Sequence, residues 1–405
     1  MQEFMALDHN LKLRTLTVFL TALLNAAVLP NMTIYYAHYF GAATAGVLLM
    51  VVSIASFFAG LYGGHLADVH GRKPIMLAGS ALLIVGYVIA AAVNSPLGRF
   101  PAAAFFGFLL ARLGGSLADP AEQAMMIDAS TPDNRRFVYA MIYWVINISV
   151  MIGSALGGWF FRDYLFELLV AMAIVAMINA GIISLGMRET FAATGQANSS
   201  PWQALRSYTV VFTDRRYVKF LAGSLLTMIV TSQPSYYLAV HLGRDFHATT
   251  VLGIAIYGQR MLSLVTIINT VLIITLMAVF TRLTSRWTLR VAFAVGMCLQ
   301  TVGFAASFLA ARLWPLALWV VVLTIGEMIA VPSSQTLRAD LMDEEKIGAY
   351  SGGWAAVNPL ASTLAGLSVS ISPWLHNGGM AALMLVLGAL GIMAVASAAG
   401  VQSRQ

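Results

Sequence analysis

Long apolar runs separated by short polar loops make up almost the whole chain. A helix needs roughly 20 apolar residues to cross a hydrocarbon core of about 30 Å, and we count twelve runs of that kind. They are centred near Leu23, Ala55, Val85, Gly107, Val150, Val175, Met228, Ile267, Val295, Val322, Ala361 and Val386. The pattern predicts an all-α polytopic membrane protein with twelve transmembrane helices.

One connection between the runs is much longer than the others. Residues 188–216, between the sixth and seventh runs, are polar, basic and rich in serine and threonine. We interpret them as a cytoplasmic linker between an N-terminal six-helix bundle, residues 1–187, and a C-terminal six-helix bundle, residues 217–405. Two such halves are the arrangement expected of transporters that rock about a central site.

The composition agrees with a membrane protein and excludes several classes. Hydrophobic residues make up 59% of the chain and charged residues 10%, whereas a soluble domain carries about 25% charged residues. We expect no cleavable signal peptide, because the polar start leads directly into a full-length apolar span. The net charge of +6 is scattered singly, which argues against nucleic acid. The single cysteine, Cys298, excludes a disulfide framework and a cysteine metal site, so we predict no cofactor and no metal.

The lysines and arginines predict an orientation through the positive-inside rule. If the chain starts inside, the outer loops contain Arg99, Arg162, Arg244 and Arg312, and nearly all the other cations fall in inner loops. Both termini and the linker are then cytoplasmic. The predicted location is the cytoplasmic, or inner, membrane of a bacterium.

The loop between the second and third runs carries the pattern G-x-x-x-D-x-x-G-R-K over residues 64–73. Gly71 permits a tight turn and Pro74 suits the first turn of a helix. Asp68 falls on the last turn of the preceding helix, where a carboxylate needs a facing cation or helix N-terminus. The pattern resembles the signature loop of the major facilitator superfamily.

That resemblance implies a conformational gate at the inner ends of the helices. In transporters of this type an acid at the inner end of the fourth helix forms a charge relay with the loop and closes the cytoplasmic side. Asp128 stands at that position here, although a solvated helix-end acid is the alternative. The implied gate consists of Asp68, Gly64, Gly71, Arg72, Lys73 and Asp128.

Several ionisable residues lie inside apolar runs, where insertion of a charge costs roughly 2.5 to 3.5 kcal/mol and marks a functional candidate. In the fourth run Arg112, Asp119 and Glu122 are spaced by seven and three residues, which places them on one helical stripe. We predict an intramembrane charge pair between Arg112 and Asp119, either structural or involved in transport. Glu122 is then left over as a further acid.

The tenth run contains Glu327 with no basic residue nearby in sequence. A buried carboxylate without a fixed partner can exchange a proton near neutral pH. We predict that Glu327 couples protons or pairs with a cationic substrate, with Glu122 and Asp119 as further candidates. A hydrogen bond from another helix would instead make it structural. Arg260, in the eighth run, is a candidate counter-ion.

The fifth run offers candidates for substrate contact, namely Tyr143, Trp144 and Asn147. Aromatic walls suit varied cations and amphiphiles through cation–π contacts. Such residues more often belong to lipid-facing belts or to the core. The same run contains small residues at 153–158, which suit close helix packing and also resemble, without its usual proline, a glycine-rich motif of proton-driven antiporters in this superfamily.

Segments in both halves resemble the lactococcal multidrug subfamily of those antiporters. They are residues 7–14, 32–36, 71–74, 127–130, 256–262, 339–342 and 345–348. The resemblance implies proton-driven export of lipophilic, often cationic compounds, with Asp68 and Asp128 in the relay and Glu327 in proton and substrate handling. One departure matters, because Ile142 stands where the subfamily has a membrane acid.

The main hypothesis is therefore a proton-coupled exporter of drugs or related amphiphiles that works by alternating access, binds protons and membrane lipids, and acts as a monomer. A proton symporter that imports a peptide or sugar is the alternative, and a lipid-moving exporter is a further one. A membrane-embedded enzyme is disfavoured, because the histidines show no H-E-x-x-H spacing. No G-x-x-x-x-G-K-[ST] loop is present, which argues against ATP-driven pumping.

Overall fold

The computed structural model describes Phe4 and residues 7–191, 213–342 and 347–399. Most of the predicted linker, residues 192–212, and residues 345 and 346 of the resembling segments lie outside this description. The helices are α1 (His9–His70), α2 (Arg72–Ala92), α3 (Pro101–Ala129), α4 (Pro132–Phe160), α5 (Leu165–Gly181) with a π-helical turn (Ile182–Gly186), α6 (Arg215–Thr231), α7 (Tyr237–Asp245), α8 (Gly258–Leu283), α9 (Leu289–Ser307), α10 (Leu313–Asp340), α11 (Ile347–Ala355) and α12 (Val357–Ala399).

The all-α, multi-pass class predicted from the apolar runs is confirmed. Within the described ranges, nine helical segments are long and apolar enough to cross a membrane. Two helices are too long for one crossing, since 62 residues of α1 would extend about 93 Å and a bilayer core is about 30 Å thick. Each is interrupted by non-helical backbone, α1 at Gly41 and α12 at His376. The count of twelve crossings stays a prediction.

The chain forms two compact units that do not follow chain order. Unit 1 contains Met1–Asn31 and Ile54–Pro201, and unit 2 contains Met32–Ser53 and Trp202–Gln405. The middle of α1 thus belongs to unit 2, whereas the sequence-based boundaries place it in the N-terminal bundle. Two hydrogen bonds join this part of α1 to the rest of unit 2. Thr33 Oγ1 of α1 donates to the carbonyl of Ser235 (2.6 Å), and Ser370 Oγ of α12 donates to the carbonyl of Ala43 on α1 (3.0 Å).

Small residues bring the helices of unit 1 together. A Cβ atom at Gly153 of α4 would lie 2.5 Å from the carbonyl oxygen of Leu23 on α1, and one at Gly157 would collide with the carbonyl of Ala27. The small residues of the fifth run therefore serve helix packing. The same close approach joins α2 to α3 at Gly79 and Gly114.

Unit 2 also contains close helix packing at small residues, because Gly296 of α9 lies against Gly326 of α10. It also contains a short antiparallel hairpin that the apolar pattern does not predict. Strands β1 (Thr249–Val251) and β2 (Ile254–Ile256) pair with Thr249 opposite Ile256. Leu252 and Gly253 connect them with positive φ at both positions, 50° and 80°, as a tight two-residue hairpin turn requires.

Candidate functional site

In unit 1, the turn between α1 and α2 depends on Gly71. Its φ of 101° lies in the region that favours glycine. A Cβ atom there would also lie 2.8 Å from Glu189 Oε2, so a side chain would displace that carboxylate. The backbone conformation therefore favours glycine at this position of the signature loop.

Arg72 connects the ends of three helices of unit 1. Its Nη1 donates to the Asp68 carboxylate (2.6 Å) and to the carbonyl of Ala67 (2.8 Å) at the end of α1. Its Nε lies 3.4 Å from Asp128 Oδ2 at the end of α3. Because Asp68 stands on the last turn of α1, this guanidinium is the cation that the carboxylate needs against the helix dipole.

Exposure differs among the three charged groups. The Asp68 side chain is 65% exposed and that of Asp128 32%, whereas that of Arg72 is only 14% exposed. The ring of Phe191 covers the guanidinium, 5.2 Å from its centroid. Water can therefore reach the two acids while their shared cation stays covered.

The structure adds Glu189, which the sequence analysis missed, to this site. Its Oε1 accepts the backbone N–H of Arg72 (3.1 Å), and its Oε2 accepts that of Lys73 (2.9 Å). Gly71 precedes α2 and has no side chain to cap the helix, so this distant carboxylate fills the role and also faces the positive end of the dipole. Its neighbour Thr190 donates to Asp128 Oδ2 (3.2 Å).

Lys73 fastens the same loop to the end of the sixth apolar run. Its Nζ donates to the carbonyls of Ser184 (2.7 Å) and Met187 (2.8 Å). Asn10 exchanges two hydrogen bonds with the backbone of Arg188 (3.0 and 2.9 Å). The start of the predicted linker is therefore bound to both α1 and the signature loop. A Cβ atom at Gly64, the remaining gate candidate, would lie at an ordinary packing distance of 3.6 Å from Pro120 of α3.

A buried ion pair joins α1 to α3. Arg14 Nη2 lies 2.5 Å from Glu122 Oε2, and the two side chains are 7% and 8% exposed. Arg14 Nη1 also donates to Thr17 Oγ1 (3.0 Å), while its buried Nε finds no hydrogen-bond partner among the described residues. Glu122 is therefore not a partnerless acid.

The predicted pair between Arg112 and Asp119 is not formed among the described residues. Asp119 is exposed and accepts a hydrogen bond from Gln123 (3.0 Å), one turn further along α3. Seven residues of helix place their Cα atoms about 10.5 Å apart along the axis, nearly two turns. The helical spacing that suggested this ion pair therefore did not predict the contacts of either residue.

In unit 2, Glu327 lies on α10 and is partly buried. Asn269 of α8 donates through Nδ2 to Glu327 Oε2 (2.7 Å) and to Thr324 Oγ1 (3.2 Å). The hydrogen bond from another helix that would make Glu327 structural is thus present, but the donor is neutral. Within the described part of the chain, no lysine or arginine forms an ion pair with Glu327.

Arg260 lies in the first turn of α8, and its guanidinium contacts residues of the preceding hairpin and loop. Its Nη1 donates to the carbonyl of Ala255 on β2 (2.6 Å), and its guanidinium stacks on the Tyr257 ring at 4.7 Å. Nine residues, about 13.5 Å of helix, separate it from Asn269, which holds Glu327. The structure therefore places the predicted counter-ion at the hairpin.

The fifth-run candidates lie on the exposed side of α4. Tyr143 is 51% exposed and Trp144 48%, and Asn147 donates to the carbonyl of Tyr143 (2.8 Å). Their contact with substrate stays a prediction. Ile142 is buried in an apolar cluster with Val18 and Met126. Val18 lies one helical turn after Arg14, and Met126 lies one turn after Glu122.

Weak sequence signals could have indicated the residues that were missed. Glu189 is an acid in a basic stretch directly after the sixth run, and Arg14 is a cation at the start of the first. Chemically, unit 1 presents a cation shared by two acids and a buried ion pair, and unit 2 presents a carboxylate held by an amide. Such groups can bind and release protons or pair with cations.

One family model and several known proteins match this sequence. The sequence model described as "Major Facilitator Superfamily" matches residues 15–259. A Na(+), Li(+), K(+)/H(+) antiporter of Planococcus maritimus is 25% identical over 401 residues, 95% of this chain and 94% of that protein. The multidrug resistance protein MdtH of Salmonella arizonae is 24% identical over 330 residues, 80% of this chain and 76% of that protein.

Solved transporter structures share the fold. The peptide transporter POT in complex with sulfate aligns with a TM-score of 0.76 at 16% identity and covers 100% of this chain and 98% of its own. A mutant of the nucleoside transporter NupG aligns with a TM-score of 0.72 at 16% identity, covering 97% and 99%. At this identity the likeness concerns the fold alone.

Proposed function

The chain belongs to the Major Facilitator Superfamily, whose solved relatives are transporters, and we propose that it exports lipophilic, often cationic compounds in exchange for protons. Membership makes it a multi-pass secondary transporter. The proposal adds the substrate class, the direction and the coupling ion.

The observation that carries this proposal is the set of contacts that the Glu327 carboxylate makes. Its carboxylate is held in place by the neutral amide of Asn269 (2.7 Å), with no ion-paired lysine or arginine among the described residues. A carboxylate in a fixed position without a fixed counter-charge can hold a proton or face a substrate cation, but not both. Competition between the two ligands for one group is the chemical basis of exchange.

A second protonatable group supports coupling in unit 1. Of the two helix acids proposed to replace the one absent at Ile142, Glu122 is buried and Asp119 is exposed. Glu122 also lies one turn from Met126, which packs in the Ile142 cluster. We therefore assign the replacement to Glu122, whose carboxylate pairs with the Arg14 guanidinium.

The contacts of Arg72 support the gate. Alternating access needs contacts that hold one state and can be broken in the other. The guanidinium binds Asp68 at 2.6 Å and Asp128 at 3.4 Å, and both acids are open to water. In our proposal this relay closes the cytoplasmic side, and Glu189 holds the loop in register.

The test is transport in proteoliposomes with an imposed pH gradient and a panel of cationic dyes. We expect dye movement against the proton flux in the wild type. Glu327→Gln should abolish the dependence of cation transport on the gradient, while the matched control Glu167→Gln, an exposed acid in the first turn of α5, should keep it. Gradient-independent dye movement in the wild type would refute the proposal.

Exchange of monovalent cations for protons is a second candidate function, because the Planococcus relative carries that name and spans 95% of this chain. The same vesicles distinguish the two: Na⁺, Li⁺ or K⁺ should dissipate the pH gradient without dye if this candidate is correct. Nutrient import by symport would instead move a peptide or sugar in the same direction as protons.

A further inference from the structure

His241 of α7 is a buried histidine with an acceptor at each ring nitrogen. Its side chain is 1% exposed. Nε2 lies 3.0 Å from the carbonyl oxygen of Ala310, in the connection between α9 and α10, and Nδ1 lies 3.0 Å from Asp245 Oδ2, one turn further along α7. Neither a carbonyl nor a carboxylate oxygen can donate a hydrogen, so both contacts require an N–H from the ring.

A neutral imidazole carries only one N–H. If the proton is on Nε2, the Nδ1 lone pair faces the Asp245 carboxylate; if it is on Nδ1, the Nε2 lone pair faces the Ala310 carbonyl. Either arrangement sets a ring-nitrogen lone pair against an acceptor and leaves that buried nitrogen without a donor. The geometry is satisfied in full only by the doubly protonated ring or by a protonated carboxyl.

The other partners of Asp245 decide between these two forms. Its carboxylate accepts hydrogen bonds from Arg244 Nε (2.7 Å) and Nη2 (2.8 Å) and from Asn377 Nδ2 of α12 (3.0 Å). Together with the contact from His241, the Asp245 carboxylate accepts four hydrogen bonds, two of them from the Arg244 guanidinium. Such a set favours the ionised carboxylate, so the additional proton belongs on the imidazole.

Among the described residues, the neighbouring elements supply no second acid to this position. On α7, the Tyr237 ring stacks on the imidazole (centroids 6.4 Å apart) and its hydroxyl donates to Asn377 Oδ1 (2.6 Å). On the elements around α7, the charged or titratable residues His376 of α12, Arg312 after the α9–α10 connection, His247 before the hairpin and His38 of α1 are exposed, and Tyr35 and Tyr36 of α1 are buried. His247 meets the connection through its backbone N–H, which donates to the carbonyl of Ala311 (2.8 Å).

We propose that His241 is a proton-binding site, separate from the helix carboxylates, whose bound proton ties α7 to the α9–α10 connection and, through Asp245, to α12. The ligand is a single proton, held as an imidazolium between a carbonyl and a carboxylate. When it leaves, one of the two contacts of the ring must break, and this end of unit 2 loosens. The site and its test do not depend on which compound the protein transports.

Thermal unfolding of the purified full chain in detergent between pH 6 and 8.5 tests this site. A histidine of the unfolded chain is neutral above about pH 6.5, so a proton bound only by the folded form would make stability fall as the pH rises. We expect a decrease in melting temperature of about 3 °C in the wild type. His247→Gln, which alters an exposed ring, should keep this pH dependence, and His241→Gln should remove it. Equal pH dependence in His241→Gln and the wild type would overturn the proposal.

Nitrogen NMR of histidine-labelled protein supplies a measurement that needs no variant at position 241. At pH 7 the wild type should show one imidazole with protons on both ring nitrogens and slow exchange with water. In Asp245→Asn the side-chain amide can donate to Nδ1, so this doubly protonated signal should be absent. If every histidine ring in the wild type is neutral or exchanges rapidly at pH 7, the proposal is wrong.

Discussion

The Arg14 guanidinium lies 2.5 Å from the Glu122 carboxylate, although 108 residues separate them in the chain. Both side chains are more than nine-tenths buried, and Arg14 Nε has no hydrogen-bond partner within the part of the chain that the structure describes. A buried pair of this kind contributes little net stability, yet removing one member strands a charge. This relationship connects α1 to α3 and replaces the charge pair expected within α3.

We predict that Arg14→Met and Glu122→Leu each destabilise the protein by about 3–5 kcal/mol, whereas the double replacement recovers much of the loss. Unfolding in detergent measures this double-mutant cycle. Asp119→Asn is the control, because this exposed acid is bound by Gln123. Additive losses in the double variant would show that the two charges are not coupled.

Asp68→Asn should abolish transport and shift the protein towards the inward-facing state. The substitution removes the 2.6 Å ion pair with Arg72, which in our proposal closes the cytoplasmic side. Transport in vesicles and accessibility labelling between the two halves are the measurements. Asp133→Asn, a control at an exposed acid in the first turn of α4, should transport normally. Unchanged transport in Asp68→Asn would rule out the relay.

Glu189→Gln should weaken the start of α2 by about 1 kcal/mol, because a charged cap is replaced by a neutral one. The carboxylate accepts the backbone N–H groups of Arg72 and Lys73, and an amide oxygen can satisfy only part of that set. Hydrogen exchange of the α2 N-terminus should increase. If exchange there is the same as in the wild type, the cap is not supplied by Glu189.

Substrate-induced proton release in detergent should depend on Glu327. The wild type should release protons when a cationic substrate binds, and Glu327→Gln should not, because only the acid can exchange a proton for the cation. Ile142→Asp should raise the number of protons released by restoring an acid in the fifth run. Equal release with and without Glu327 would show that another carboxylate couples transport.

Asp214 should make unit 2 sensitive to acid. It caps α6 by accepting the backbone N–H groups of Arg216 (2.9 Å) and Tyr217 (3.1 Å), and the Tyr350 hydroxyl donates to it (2.8 Å). Burial acts to raise the pKa of this carboxyl, but the hydrogen bonds outweigh burial and lower it. A lowered pKa means that the stabilisation is present above about pH 4 and is lost as the pH falls through the folded-state value.

The corresponding measurement is thermal unfolding at pH 7, 5 and 4. Asp214→Asn should cost about 0.5 kcal/mol at pH 7, because asparagine still caps the helix but lacks the charge that faces its dipole, and should lose less stability than the wild type on acidification. Tyr350→Phe, which keeps the cap but removes one donor, should fall between the two. If the wild type and Asp214→Asn respond to acid equally, the carboxyl does not contribute to the acid sensitivity.

The sequence by itself determined the helical, multi-pass class and the place of the signature loop. In a hydrocarbon environment every backbone N–H and C=O must bond within its own segment, so a long apolar run can only form a helix. The requirement is local, and it is therefore readable in order along the chain. The preference for glycine at position 71 and the need for a cation near Asp68 are local in the same sense, since Arg72 is four residues away.

Only the tertiary structure decided which charges are partners. Glu122 lies three residues from Asp119 but pairs with Arg14, and Glu189 caps a helix that begins 117 residues earlier. Glu327 has no basic neighbour in sequence and is held by Asn269 of α8. These choices depend on which helices pack side by side and how they are rotated. Apolar spacing leaves both undetermined, because lipid and a neighbouring helix present equally apolar surfaces to a membrane helix.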